Sequence, residues 1–176
     1  MKVEEFLSPS DTVIDLRAQD KRRLLNELCN RAATTLKLDA DNICAEILKR
    51  EELGSTAVGG GVAIPHARVE RLAKPFGILA RLRKPIDFDA IDGQPVDLVF
   101  LLLLPTSAPA EQLSALATVA RRLRDPVTVR ELRRAADNAS VYAAFVAHQM
   151  PKVCRFASTL MAYVLSPRFD LCRPTP

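Results

Sequence analysis

A layered α/β domain is the fold class this sequence predicts, and three observations carry it. Residues 96–104 are almost continuously apolar, with Val96, Leu98, Val99, Phe100 and four successive leucines between Pro95 and Pro105. The two prolines leave too few residues for a typical helix, so a strand buried at the centre of a sheet is expected. Around residues 20–36 and again from Pro109, apolar residues instead recur at helical spacing. Strands and helices that share one core imply layers, although the order and direction of the strands do not follow from the pattern. A chain of 176 residues suits one domain that buries a core without disulfides or metals.

Taken in order, residues 3–7 allow one helical turn and Thr12, Val13, Ile14, Asp15 and Leu16 a short strand. Leu24, Leu25, Leu28, Ala32 and Leu36 mark one face of an amphipathic helix whose wet side holds Lys21, Arg22, Arg23 and Arg31. A second helix is expected from an N-cap at Asp41, through Ile43, Ile47 and Leu48, to a stop at Gly54. Val62, Ala63 and Ile64 read as a buried strand ended by Pro65, which places His66 where a strand gives way to a loop. Residues 77–83 read as a further strand with one exposed face, and residues 85–95, with Asp87, Asp89, Asp92 and Gly93, as a turn-rich connection. The helix after Pro105 is expected to bury Leu113, Leu116, Ala117, Ala120 and Leu123, and two short helices follow near residues 127–136 and 140–148.

Residues 1–150 therefore form the domain, and residues 151–176 an appendage. Residues 156–165 suit a helix docked on the domain, with a homo-oligomer or membrane-surface contact as alternatives, and Pro167, Pro174 and Pro176 break up the end of the chain. No stretch approaches the roughly 20 apolar residues of a membrane span. The first seven residues are acidic where a secretory signal is basic and then apolar, so a cytoplasmic protein is expected. Cys29, Cys44, Cys154 and Cys172 lack CxxC spacing and are expected as free thiols. Neither a metal nor a cofactor is expected, because the two histidines lie far apart and no cysteine clusters with either. The net charge of +4 is too small and too dispersed to indicate nucleic acid. Arg121, Arg122, Arg124, Arg130, Arg133 and Arg134 read as solvated helix faces, with a nucleic-acid or acidic-protein surface as the sharper alternative.

The functional centre is residues 50–68, which hold Gly54, Gly59, Gly60, Gly61 and His66. A neutral imidazole is a competent nucleophile toward phosphorus, and the dianion it would acquire needs donors. Backbone N–H groups of the glycine run, the hydroxyls of Ser55 and Thr56, and the guanidinium of Arg50 or Arg68 could supply them. The glycines fit neither G-x-x-x-x-G-K-[ST] nor G-x-G-x-x-G. A hydrolase triad of Ser55, His66 and Asp87 or Asp92 would lack the G-x-S-x-G elbow. A tight turn beside an inert histidine is the remaining reading.

The run Leu53-Gly54-Ser55-Thr56-x-x-Gly59-x-Gly61-Val62-Ala63-Ile64-Pro65-His66 resembles the phosphorylation motif of enzyme IIA proteins of the fructose/mannitol class, and most of all the nitrogen-regulatory enzyme IIA. The similarity extends from the N-terminus to about residue 148 and includes Arg50, the strand ending at Leu104 and Pro105, and the next helix. It implies a single layered domain with a mixed β-sheet flanked by helices, as in the mannitol-type enzyme IIA fold. It also implies that His66 accepts a phosphoryl group from an HPr-like phosphocarrier, fed from phosphoenolpyruvate through enzyme I.

By the same resemblance Arg50, Ser55 and Thr56 line the phosphoryl pocket, and Gly59 and Gly61 shape its loop. A role for Arg68, just beyond the motif, is our own inference. Where family members carry a second histidine, this chain has Gln112, which can donate an N–H to a phosphoryl oxygen but cannot bear positive charge. Without attached transport domains, a regulatory role is expected, in which phosphorylation of His66 controls a target kinase, transporter or channel. The alternatives are a sugar-transport enzyme IIA with a separate IIB component and a binding module that acts unphosphorylated.

Overall fold

The computed structural model describes residues 1–147. The expected appendage, with its docking helix, Cys154 and Cys172, lies outside the described residues, as does the end of the helix expected at residues 140–148. After 3-10 turns at Val3–Glu5 and Pro9–Asp11, β1 (Thr12–Leu16) leads into α1 (Lys21–Leu36) and α2 (Ala40–Glu52). Short strands β2 (Ala57–Gly59), β3 (Val62–Ala63) and β4 (His66–Val69) precede two long ones, β5 (Phe76–Ile86) and β6 (Val96–Pro105). Helices α3 (Pro109–Arg124), α4 (Pro126–Arg134) and α5 (Asn138–Ala147) complete the described fold.

The sheet is mixed and six-stranded, in the order β1-β5-β6-β3-β2, with β4 also paired to β6. Strand β6 is central, antiparallel to β5 and parallel to β3 and β4. Its unbroken hydrophobicity follows from its two buried faces. Val99, Leu101 and Leu103 pack in the core under α1 and α2, while Leu98, Phe100, Leu102 and Leu104 pack in the core formed with α3, α4 and α5. Helices on both faces of a sheet make the layered α/β domain that the sequence predicts.

Four local expectations are corrected. Helix α2 is capped by Asp39, whose side chain accepts from the N–H of Asp41, so Asp41 belongs to the first turn. Strand β5 runs through Pro85 to Ile86, because Pro85 sits in an irregular span between the Arg81–Leu98 and Ile86–Val96 pairs and owes the ladder no N–H. Pro65 interrupts the sheet edge without ending it: Val62 lies opposite Leu98 and His66 opposite Leu102, with the Pro65 carbonyl accepting from Leu102 N–H between them. His66 therefore opens a strand.

The fourth correction concerns α3, whose buried side chains include Gln112, Ala115, Thr118, Val119, Arg122 and Leu123, while Leu113 is 72% exposed. Polar members of this face are received inside by backbone carbonyls, although Arg122 Nη1 has no hydrogen-bond partner among the described residues. Gln112 Nε2 donates to Pro105 O, Thr118 Oγ1 to Ser114 O, and Arg122 Nη2 to Val146 O.

Candidate functional site

Alternation along β4 sends Ala67 and Val69 into the α1/α2 core, leaving His66 and Arg68 on the opposite face of the sheet. There they line a cavity of about 540 Å³ with Arg50 and Leu53 from the end of α2, and Pro109, Gln112 and Leu113 from the start of α3. The site is thus built where two helix ends meet the sheet edge. At the start of α3, Pro109 has no N–H and the Gln112 N–H returns to Ala108 O, while Ala110 and Glu111 line a different cleft, so this helix end offers the cavity side chains rather than free N–H groups.

His66 is half-buried, and its Nδ1 lies 2.8 Å from the carbonyl oxygen of Ile64. A carbonyl only accepts, so the neutral ring carries its proton on Nδ1 and its lone pair on Nε2. Burial pulls the imidazole below the ordinary histidine value; the Ile64 bond and Glu51 oppose this, and the Arg50 guanidinium reinforces it. The ring is therefore held neutral, with its nucleophilic nitrogen defined by the backbone.

The structure brings Arg50, Arg68 and Gln112 together with His66 around one cavity. Arg50 is steadied by a 3.1 Å bond from Nη1 to Gly54 O. Gln112 is buried, and the bond of its Nε2 to Pro105 O, 2.7 Å long, engages one of its two amide hydrogens. Glu111 lies along a different cleft, beside Lys74 and Ser114.

Ser55, Thr56, Gly59 and Gly61 are not among the residues that line this cavity. The Ser55 hydroxyl donates to Phe88 O at 2.6 Å, and Thr56 donates both its N–H and its hydroxyl to the Glu51 carboxylate. Gly59, Gly60 and Gly61 turn the β2–β3 hairpin. Gly60 N–H donates to Asp92, its carbonyl accepts from Arg133, and Gly61 O accepts from the N–H groups of Asp97 and Leu98. The glycine run thus aims these groups at the hairpin's own neighbours. The hydrolase triad is likewise not assembled, because His66 Nδ1 meets a carbonyl, Ser55 is committed to Phe88, and Asp92 holds Gly60.

Sequence reasoning missed Glu51, which is buried and also pairs with Lys21 Nζ at 2.9 Å. It missed Leu53 as well, 83% exposed at the cavity rim beside Leu113. The sequence places Leu53 one turn past Arg50 and Leu113 next to Gln112, but only the fold shows that both side chains are exposed.

Residues 5–147 match the family model described as phosphoenolpyruvate-dependent sugar phosphotransferase system, EIIA 2. The chain is 44% identical over 143 residues to a nitrogen regulatory protein of Bradyrhizobium diazoefficiens, an alignment that covers 81% of this chain and 94% of the relative. The crystal structure of nitrogen regulatory protein IIA-Ntr from Neisseria meningitidis superposes with a TM-score of 0.77 at 34% identity, covering 81% of this chain and 98% of the other. Mannitol IIA from Escherichia coli shares the fold at a TM-score of 0.67 and 15% identity, covering 79% and 98%.

Proposed function

The chain belongs to the EIIA 2 family of the phosphoenolpyruvate-dependent sugar phosphotransferase system, and from that premise we propose that His66 Nε2 accepts a phosphoryl group from an HPr-like phosphocarrier and that its phosphorylation state governs a target protein. The observation that carries this reading is the pinned tautomer. With Nδ1–H bound to Ile64 O, only Nε2 has a lone pair to offer. In an in-line transfer, the P–N bond to the carrier breaks as the bond to Nε2 forms. The Ile64 carbonyl and nearby Glu51 offset the positive charge that the ring gains. Arg50 and Arg68 lie around the cavity that receives the phosphoryl dianion.

Ser55 and Thr56 act one step back, by holding Phe88 and Glu51, and Gly59 and Gly61 act by setting the hairpin that leads to Ile64. The exposed Leu53 and Leu113 give the carrier an apolar rim on which to dock. Regulation is favoured over sugar transport because the relative at 44% identity, matched over 94% of its length, is named a nitrogen regulatory protein.

Incubation with enzyme I, its phosphocarrier and labelled phosphoenolpyruvate tests the proposal. Acid-labile, alkali-stable label on the wild type and none on His66→Ala is the expected result. No label on the wild type with the cognate carrier would sink it.

A further inference from the structure

Away from His66, the β2–β3 hairpin and α4 enclose a second groove of about 590 Å³, which shares no lining residue with the His66 cavity. Its walls are apolar: Val58, Val62, Leu123 and Val129 line it, and Val58 is 39% exposed. Around them stand Arg124, Arg130 and Arg134, all exposed, and none makes an ion pair among the described residues. Such a group of like charges is self-repelling until it meets anions. A fourth arginine shows in place what the others can do. Arg133 grips the Asp97 carboxylate through Nε at 2.7 Å and Nη2 at 2.6 Å, the two-pronged geometry that suits arginine to carboxylates.

We propose that this groove is a docking surface for a protein partner, and that its occupant is an acidic segment bearing apolar side chains. Carboxylates of the segment pair with Arg124, Arg130 and Arg134 while its apolar residues cover Val58 and Val129. Two other anions fit less well. A small phosphate compound would leave the apolar walls uncovered, and a single-stranded nucleic acid would find no aromatic side chain among the described residues that line the groove on which to stack its bases. Because the groove and the His66 cavity are separate, a partner held here leaves His66 open to its phosphocarrier. This surface stands whether or not His66 is phosphorylated.

The test uses the full chain and a fluorescein-labelled dodecapeptide of glutamate and leucine, read by anisotropy. Binding is expected in the micromolar range and weakens with added salt. It falls at least about tenfold in the doubly substituted Arg130→Glu/Arg134→Glu protein and in Val58→Asp, and stays within about twofold of wild type in His66→Ala and Leu113→Asp. Circular dichroism melts establish that each variant is folded. Absence of binding by the wild type overturns the proposal, as does binding that the groove substitutions leave unchanged. A matched lysine–leucine peptide that binds as well overturns it too. Loss in Leu113→Asp would put the peptide on the His66 rim instead, and tighter binding of oligothymidylate, lost in the same arginine variant, would make the groove a nucleic-acid site.

Discussion

The carbonyl oxygen of Ile64 accepts a hydrogen bond from Nδ1 of His66 at 2.8 Å, so the last residue before Pro65 decides which nitrogen of the ring is nucleophilic. Phosphorylation is expected at Nε2 alone, visible as a single phosphohistidine isomer by phosphorus and nitrogen NMR. Burial is the largest cause that holds the imidazole below 6.5, and Arg50 adds to it. The neutral ring therefore persists below that pH, and phosphoryl acceptance stays level from pH 8 down past 6.5 before it falls. The stability consequence has the opposite slope to that of a histidine in an ion pair. The unfolded ring binds its proton first as pH drops, so His66 costs stability as pH falls through 6.5, and the loss levels off below the folded value. A ring titration whose midpoint lies above 6.5 would contradict both expectations.

Glu51 holds the loop between α2 and the hairpin. Its buried carboxylate accepts from Thr56 N–H at 2.9 Å and from Thr56 Oγ1 at 2.7 Å, and pairs with Lys21 Nζ at 2.9 Å. Glu51→Ala leaves these donors without a partner and is expected to lower unfolding free energy by about 2–4 kcal/mol. Asp89 also pairs with Lys21 but is 75% exposed, so Asp89→Asn is expected to cost about 0.5 kcal/mol or less. Burial pulls down on the Lys21 pKa, but the bonds to Asp89 and Glu51 outweigh it and the net shift is upward. The pair's contribution is thus fully present below 10.5 and fades as pH rises through the higher folded value. Urea denaturation of the two variants, with unchanged slopes, checks the contrast.

The hairpin glycines make a similar contrast. A Cβ on Gly61 would sit 2.6 Å from Arg133 Nη2 and 3.0 Å from Asp97 Oδ1, at φ +79°, and Arg133 cannot retreat without releasing Asp97 and Gly60. Gly60, at φ +63°, has open space where its Cβ would go. Gly61→Ala is expected to cost about 2–3 kcal/mol and Gly60→Ala about 1 kcal/mol. If the glycine run serves the hairpin, Gly60→Ala accepts label at His66 as readily as the wild type does. A severe loss of label in that folded variant would return the glycines to the phosphoryl group.

Most of the fold was legible because it is written in short-range patterns. The two prolines around residues 96–104 and the helical spacing from Leu24 to Leu36 each describe one element, and burial on both faces of β6 explains why its leucines do not alternate with polar residues. What escaped depended on partners distant in sequence. The amphipathic pattern of α3 favours Leu113, yet Gln112 and Arg122 go inside because the carbonyls of Pro105 and Val146 wait for them, which no pattern within the helix reveals. His66, Arg50 and Gln112 were identified through the motif and its resemblance, and the structure places all three at one cavity. A glycine run reads alike in sequence whether it offers N–H groups to a phosphate or turns a hairpin, and the bonds of Gly60 and Gly61 to Asp92, Arg133 and Asp97 show only the second of these in the fold.

Cys29 is fully buried on the core-facing side of α1, and burial, with help from Cys44, pushes its thiol far above the ordinary cysteine value. The thiolate is the reactive form, so Cys29 is expected to resist iodoacetamide at pH 8 in the folded protein and to react in urea. Peptide mapping by mass spectrometry assigns the label to Cys29 itself. Rapid modification in the native state would mean that α1 opens readily from the sheet.

Gln112 decides how the site manages without a second histidine. One amide hydrogen is committed to Pro105 O, and the residue lines the same cavity as His66. If that side chain faces the phosphoryl group, Gln112→Glu places like charge beside the incoming dianion. The phosphorylated fraction at equilibrium with the carrier is then expected to fall at least about tenfold, equivalent to about 1.4 kcal/mol. Gln112→Ala separates this from simple loss of the Pro105 bond. It is expected to cost about 1–3 kcal/mol of stability through the unpaired carbonyl while changing phosphorylation by less than about threefold. Equal phosphorylation of Gln112→Glu and wild type would show that residue 112 turns to Pro105 alone. Arg50 and Arg68 would then hold the phosphoryl group without its help, and Arg50→Ala would be the most damaging change at the site after His66→Ala.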